Sequence, residues 1–509
     1  MTSSEPIGFL LDGQIDWSQI EAALAPLRLV TEPDDGTVPF RLLDCHDQLL
    51  RGSGRVLLEF DAALALFAGK EAPLRQAAAS DGDFPADLPD GPIRSLTQDL
   101  FPLRCFLTLA RGVLRSTTLR VVDEETKTQL RGEVLQVEGE AGGAVTLVLL
   151  KPLRGYDRAP AAMAAGLREQ GAGPVDAERV FAALAPEVQP YVAKPKTTFT
   201  GQETAFDVAV ETMSNYIAVA RANEAGVIAD LDTEFLHDYR VALRKLRSVL
   251  SLFKGVFGAV QTAELKAALS DLMQPTGRVR DLDVYLMERA DYDARVPEHL
   301  RPGLSVMFDA FAAERADAQA ALANHLNSKA YHTVISELEA QFAHPEGFIR
   351  GAASGVSADR YARKLIWKRY RKICKIAARI HDDTPDEEVH ELRIACKKFR
   401  YLVEFFAPLF AGKSAKRIIK RMKLLQDNLG AFNDYAVQQQ ALLRFVETHP
   451  AMTGRRGVEA ALSIGALIAL LDQGQRAERA RVMESFDRFN SPEARAEIKA
   501  LCHPEEAAA

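Results

Sequence analysis

The sequence predicts an α+β chain: an amino-terminal antiparallel β-rich domain followed by an all-α domain of two duplicated helical bundles. Three observations carry this. Between Phe101 and Leu153, the runs FLTLARGVLRSTTLRVV, TQLRGEVLQVEG and AVTLVLLKPL alternate apolar with polar or β-branched residues and are separated by DEET and GEAGG, an antiparallel meander signal. From Glu203 onward the pattern is helical throughout, cut by short turns such as KGVFG, QPTG, AHPEG, DDTPD and NSPE; short connections of this kind fold helices into antiparallel bundles. Within that helical part the chain also repeats itself at a shift of 153 residues.

Taken in order, residues 1 to 155 read as strands mixed with short helices, and EAPLRQAAASDGDFPADLPDGP reads as a long loop or insertion. From Asp157 the pattern turns helical and alanine-rich. The segment PEVQPYVAKPKTTFTGQ, with three prolines, is the expected linker and puts a domain boundary near Pro195. A chain of 509 residues is in any case too long for one core, since single cores seldom pass about 300 residues.

Hydrophobic content of 47% with 26% charged residues fits a soluble globular chain. No apolar run is expected to reach the roughly 18 residues of a membrane span, and MTSSEPIGFLLDG lacks the basic stretch and apolar core of a leader. Cysteines 45, 105, 374, 396 and 502 form no CxxC pair or zinc spacing. They suit a reduced compartment, and Cys374 and Cys396 read as small core residues. A cytoplasmic protein without metal or other cofactor is expected.

The net charge of -7 hides an asymmetry. Residues 1 to 195 hold 19 Lys+Arg against 28 Asp+Glu, a balance of -9, whereas residues 361 to 425 hold 18 against 7, a balance of +11. An anion site is therefore expected in the second stretch.

The shift of 153 lays FLHDYRVALRKLRSVLSLF over EVHELRIACKKFRYLVEFF without a gap. His237 meets His390, Arg240 meets Arg393, Arg244 meets Lys397, Lys245 meets Lys398 and Arg247 meets Arg400; further on, Gly277 meets Gly430, Asp281 meets Asp434 and Val284 meets Val437. Two segments holding one register imply two bundles related by a pseudo-two-fold axis. On an α-helix, His237, Arg240, Arg244 and Arg247 share an arc of about 80° in a row about 15 Å long, and His390, Arg393, Lys397 and Arg400 do the same. Apolar neighbours such as Leu243 and Phe399 set each row at the edge of a buried stripe.

Like charges on one face repel, and a salt-bridged surface would be the ordinary solution. Recurrence of charge type at fixed spacing points instead to a ligand. Arginine offers a planar fork to phosphate oxygens, lysine a mobile point charge, and histidine a donor whose protonated form a phosphate favours. Copy two is the more basic: Lys364, Lys368, Arg371, Lys372 and Lys375 fall within about 100° of arc, where copy one has Glu211, Asn215, Ala218, Val219 and Ala222. Lys416, Lys420 and Lys423 form another row, with Lys413, Arg417 and Arg421 beside it. These are expected to supply the bulk of the attraction, with the His237 row completing one groove. Asp281 and Asp434, placed after a glycine turn or helix break, read as helix caps or tethers for ladder arginines. Trp367, Tyr370 and Tyr401 read as core more than as base-stacking platforms. His325, His332 and His381 show no metal spacing.

These residues resemble the CHAD domain family, the conserved histidine α-helical domain. HDYRVALRKLRSVLSLF, TGRVRDLDVYL, HELRIACKKFRYLVEFF and LLQDNLGAFNDYAV carry the resemblance, which covers roughly residues 200 to 490. It implies two helical bundles around a basic groove that binds inorganic polyphosphate, with His237, Arg240, Arg244, Arg247, His390, Arg393, Lys397 and Arg400 as phosphate contacts, and in some members association with polyphosphate granules. The domain is placed at 196–500, with repeats at about 203–345 and 356–490. Residues 1–190 are similar to a degenerate CYTH domain, the triphosphate tunnel fold, through FRLLDCHDQLLRGSGRVLLEF and STTLRVVDEETKTQLRGEV. Where that family carries an alternating Glu-x-Glu-x-Lys strand the chain reads GFLLDGQIDW, and RVLLEF stands where an Arg-x-Arg pair should follow the glycine turn.

The expected function is non-catalytic polyphosphate binding. The alternative is a metal-dependent triphosphatase or polyphosphatase using the amino-terminal domain. Nucleic acid is the least supported partner, given the net negative charge and no recognisable reading motif.

Overall fold

The computed structural model describes residues 6–504 apart from residues 35, 382 and 411. The first five residues, part of the amino-terminal reading, and position 382 of the DDTPD turn lie outside that set. The chain divides into two units, residues 1–193 and 194–509.

The first unit is a curled antiparallel sheet with helices on both faces. Its elements are β1 Ile7–Asp12, α1 Trp17–Leu24, β2 Arg28–Pro33, β3 Val38–Asp44, α2 Leu49–Gly52, β4 Arg55–Phe60, β5 Ala63–Ala68, β6 Leu74–Ala77, α3 Pro92–Leu100, β7 Leu107–Val122, β8 Thr128–Gly139, β9 Ala144–Pro152, α4 Arg158–Glu169 and α5 Ala177–Leu184. The strand order is β1-β9-β8-β7-β3-β4-β5-β6, with β2 also paired to β7. Backbone bridges Leu10–Gly173 and Gly69–Val175 draw β1 towards the end of β5 and bend the sheet into a half-barrel.

The meander is β7, β8 and β9, joined where expected. Asp123 accepts the amides of Glu125 and Lys127 at 3.1 and 2.9 Å in the DEET turn. In GEAGG, Gly142 sits at φ +85°, and a Cβ on Gly143 would lie 1.8 Å from the Ala183 carbonyl oxygen. The stretch read as a long loop departs from expectation, because its Leu74–Ala77 adds an edge strand to β5. A four-residue edge strand without strong alternation leaves little trace in sequence.

Along each strand, alternation separates two cores. Leu10, Leu42, Leu58, Leu114, Leu135 and Leu147 pack against Val180, Phe181 and Leu184 of α5. Phe9, Leu11, Leu119, Val134, Val148 and Leu150 pack against Ile20 of α1 and Met163 and Leu167 of α4.

The second unit is all helical: α6 Ala205–Ile228, α7 Thr233–Leu252, α8 Ala259–Met273, α9 Thr276–Met287, α10 Arg289–Arg295, α11 Arg301–Leu326, α12 Lys329–Ala343, α13 Ala358–Ala377, α14 Asp386–Phe406, α15 Ser414–Thr448, α16 Gly454–Phe489 and α17 Pro492–Cys502. The duplication is visible in the helix starts. Ala205, Thr233 and Arg301 recur 153 residues later as Ala358, Asp386 and Gly454.

The two copies also touch through equivalent atoms. The Ala205 amide donates to the Val356 carbonyl at 2.8 Å, and the Ala358 amide donates to the Glu203 carbonyl at 2.9 Å; each bond is the other shifted by one repeat. Thr204, which caps α6 through a capping box with Asp207, bridges Ser357, its own equivalent. Phe253 stacks on its equivalent Phe406 with ring centroids 4.9 Å apart and planes 9° apart. A contact between equivalent residues is the mark of an isologous two-fold interface, here within one chain.

Two sequence expectations are corrected here. In copy two α15 runs unbroken through Gly430, so Asp434 follows no turn. The break is confined to copy one, where Pro275 separates α8 from α9, and the position one repeat later is Asn428. One helix, α16, is also long and apolar enough to cross a membrane by length and composition. Its Ala460, Ile464, Leu467 and Leu471 instead join Leu304, Met307 and Phe308 of α11 in a bundle core.

Truncating either ring of the axial pair should unfold the second unit more easily. Phe253→Ala and Phe406→Ala are each expected to cost about 3 to 5 kcal/mol in urea denaturation. The double variant should cost less than the two added together, because the rings lose the same contact.

Candidate anion-binding site

Helices α7 and α14 pack beside each other at the pseudo-two-fold axis, each buried along its apolar stripe: Tyr239, Leu243, Leu246 and Leu250 on one, Leu392, Phe399, Val403 and Phe406 on the other. That packing turns the edges of the two stripes, where the basic rows sit, towards a common space. A cavity of about 560 Å³ opens there, lined by His237, Arg244 and Lys245 of α7, Arg393, Lys397, Arg400, Tyr401 and Glu404 of α14, and Gln426, Asp427 and Gly430 of α15. Tyr216 of α6 and Lys194 and Pro195 complete the wall.

Five of the eight ladder residues meet in this cavity. Arg240, Arg247 and His390 do not line it. Arg240 is half-buried and donates through Nη1 to Thr276 Oγ1 at the start of α9. Arg247 is exposed, with Nη1 3.4 Å from Met273 Sδ, and His390 Nδ1 lies 2.8 Å from Asn433 Oδ1.

The cavity is cationic and only partly neutralised from within. Glu404 pairs with Lys245 and also accepts from Arg400 Nε. Burial works to raise the Glu404 carboxyl, yet Lys245 and Arg400 outweigh it and hold the group below its usual range. Lys245 is buried, with Nζ 4.1 Å from the centre of the Tyr401 ring, so this lysine is committed to structure. Asp434 stands 3.7 Å from Arg393 but is itself exposed. Both repeat-matched aspartates lie mid-helix, and only Asp434 pairs with a ladder arginine among the described residues. Burial raises the Asp281 carboxyl, with Arg240 the first of three arginines opposing it.

Arg244 and Lys397 are the least compensated members. Arg244 makes no ion pair among the described residues, and its inaccessible Nε, like that of Arg240, meets no acceptor. A buried donor without an acceptor costs about 1 to 3 kcal/mol. Lys397 is exposed and lines the cavity. Burial, then Arg393 and Arg244, push its ammonium down to about 8, with Asp434 acting against them. The influence of Arg244 on Lys397 crosses from one copy to the other, so the two rows share one field. Such a space can hold a multivalent anion: it offers guanidinium forks and an ammonium that a negative ligand would recharge.

The CHAD domain family model matches residues 211–443. That stretch runs from α6 into α15 and contains both ladder helices. A CHAD domain is present in this chain. The chain is 27% identical over 221 residues to two uncharacterized proteins from two strains of Mycobacterium tuberculosis, a match covering 41% of this chain and 40% of each relative. The chain thus spans about two fifths of the length of these curated relatives. Among solved structures it is similar to the CHAD domain from the plant Ricinus communis, with 26% identity, 59% of this chain and 96% of the other covered, and a TM-score of 0.49. PptA from Streptomyces chartreusis aligns at 13% identity over 56% of this chain and 99% of its own, with a TM-score of 0.44.

Inside the CHAD domain the remaining basic residues fall elsewhere. Lys364, Lys368, Arg371, Lys372 and Lys375 line a different and larger cavity. Arg417 pairs with Glu497 of α17, and Arg421 lies 3.4 Å from the same carboxylate. Lys416, Lys420 and Lys423 are exposed on α15 and line neither cavity. The single groove expected from sequence is therefore two spaces. Lys194, Tyr216, Gln426 and Asp427 were not anticipated; each stands outside the ladder helices, and only the packing of four segments brings it in.

Lys397 gives a ligand-free check on the shared field. By NMR of methyl-labelled lysines it should titrate well below the ordinary lysine range, and Arg244→Ala should move it upward by removing a cation from the opposite copy. An unmoved Lys397 in that variant would mean that the two rows do not share a site.

Proposed function

We propose that the CHAD domain of this chain binds inorganic polyphosphate in the cavity between α7 and α14, without catalysis of its own, in the cytoplasm and in association with polyphosphate granules. The observation that carries the reading is the meeting of His237 and Arg244 with Arg393, Lys397 and Arg400 in one cavity, where Arg244 and Lys397 make no ion pair among the described residues. The CHAD family resemblance supplies the ligand. The chemistry agrees: a linear chain of phosphates offers acceptors along its whole length to both rows, whereas a single phosphate could engage only part of either. Arg240, Arg247 and His390 would serve at its margins. For the first unit we propose descent from the CYTH fold with the tunnel filled by apolar side chains, a reading supported by its curled antiparallel sheet and the core beneath α5.

Titration of long-chain polyphosphate, followed by calorimetry, tests the proposal. Arg393→Ala/Lys397→Ala should bind on the order of 100-fold more weakly, two charge-assisted contacts being removed. Affinity should fall on the order of 100-fold between about 50 and about 200 mM salt as released counterions lose their advantage. Unchanged affinity in both experiments would sink the reading.

The pH dependence has a definite sign. Burial and the neighbouring arginines lower Lys397 to about 8, and a polyanion favours its charged form. Binding should therefore take up protons near pH 8 and weaken as pH rises through that value, and Lys397→Arg should flatten the profile because arginine keeps its charge. Buffers of different ionisation enthalpy would report the uptake directly.

A further inference from the structure

The cavity along α13 is separate from the ladder groove. It has a volume of about 1580 Å³ and lies between α13, the end of α7, one side of α14 and the residues that follow α17. On α13, Arg360, Lys364, Lys368, Arg371 and Lys375 fall within about 80° of arc in a stripe about 22 Å long, and all five are exposed. The acids nearby are already engaged: Asp359 holds Arg363 at 2.7 Å, and Glu391 holds Lys372 at 2.9 Å and Arg379 at 3.2 Å. Among the described residues, no carboxylate pairs with the five stripe residues.

Helix α14 is the wall between the two spaces. Its Glu391 and Leu402 line the α13 basin, while its Arg393, Lys397 and Arg400 line the groove. At 100° per residue these two sets point to nearly opposite sides of a helix about 10 Å across.

We propose that the α13 basin is a second polyanion site, independent of the groove, so that the CHAD domain takes polyphosphate at two places on opposite sides of α14. This rests on the reading of the groove as a polyphosphate site. Several features select the ligand. Neighbouring cations on the stripe stand about 6 Å apart, so a compact anion meets two of them and a linear polyanion meets all five. The basin is recessed, which a flat lipid surface cannot follow. Its one tryptophan, Trp367, is half-buried, packed beside Tyr370 and edge-on to His503 at 5.0 Å, so it offers little open ring for a nucleic-acid base. The equivalent face of copy one carries Glu211, Asn215 and Ala218, so the basin belongs to copy two alone.

The full chain would be titrated at low salt with tripolyphosphate and with long-chain polyphosphate, next to a basin variant, Lys364→Ala/Lys368→Ala/Arg371→Ala/Lys375→Ala, and the groove variant Arg393→Ala/Lys397→Ala. Circular dichroism verifies folding, and a Lys368→Glu single variant serves if the quadruple one is unstable. The native chain is expected to hold two tripolyphosphates and each multiple variant one. The basin variant should also lose about ten-fold in affinity for long chains, which engage both sites at once. A basin variant that keeps two tripolyphosphates and full long-chain affinity overturns the second site. A groove variant that keeps two while the basin variant keeps one removes the groove and leaves the basin. Single-stranded DNA binding the groove variant more tightly than long-chain polyphosphate overturns the choice of ligand.

Discussion

The helical unit depends on a self-complementary contact between the two copies of one sequence. Phe253 against Phe406, and the paired amide bonds at the starts of α6 and α13, hold equivalent residues against each other. An isologous contact presents the same surface twice, so any row of side chains near the axis is met by its own copy. For His, Arg and Lys this means that charge faces like charge. The apolar stripes of α7 and α14 must bury enough surface to hold that arrangement, and their fully buried tyrosine, leucine and phenylalanine residues, at about 1.5 to 3 kcal/mol each, are the source.

The repulsion is relieved unequally. In copy one, Lys245 is drawn into the core by Glu404 and by the rings of Tyr401 and Phe405. Lys398, its equivalent, has no such partner, because the position one repeat away from Glu404 is Ser251. Burial and then Arg369 and Lys372 lower its affinity for a proton. A charge matched in sequence is thus structural in one copy and part of a cationic surface in the other. The lesson concerns burial: a periodic row of cations defines a direction, and the neighbours packed on top decide which member is free.

Sequence made the repeat legible because duplication preserves register, and with it the helix starts and the rows. Five ladder residues line one space, and arc position on α7 and α14 had already located them at the edge of the apolar stripe. Arg240 instead turns to Thr276, a residue on a helix whose packing no single-helix projection contains. Sequence also merged the α13 row with the groove. Angles around α13 and around α14 were each sound, but the angle between the two helices is a tertiary quantity. The unbroken α15 and the edge strand β6 were missed for a local reason: one glycine in a helical pattern is tolerated, and four residues make too short a strand to alternate.

The copies diverge in the charge that their open faces carry. In copy one, Glu224 of α6 accepts from Tyr331 of α12, and Arg221 pairs with Glu224, so polar groups on that helix are spent on internal contacts. In copy two, α17 meets α13 through Arg363, which donates to the Leu501 carbonyl, and His503 just after α17 lies beside Trp367, leaving the stripe from Arg360 to Lys375 exposed. A two-fold ancestor would have carried the same face on both sides; in copy one its equivalents Asp207, Ala218 and Ala222 are exposed and carry no cation, so charging one face alone breaks the symmetry without disturbing the axis. The ladders cannot diverge so freely, because each faces the other across one cavity and a change in either alters the field felt by both.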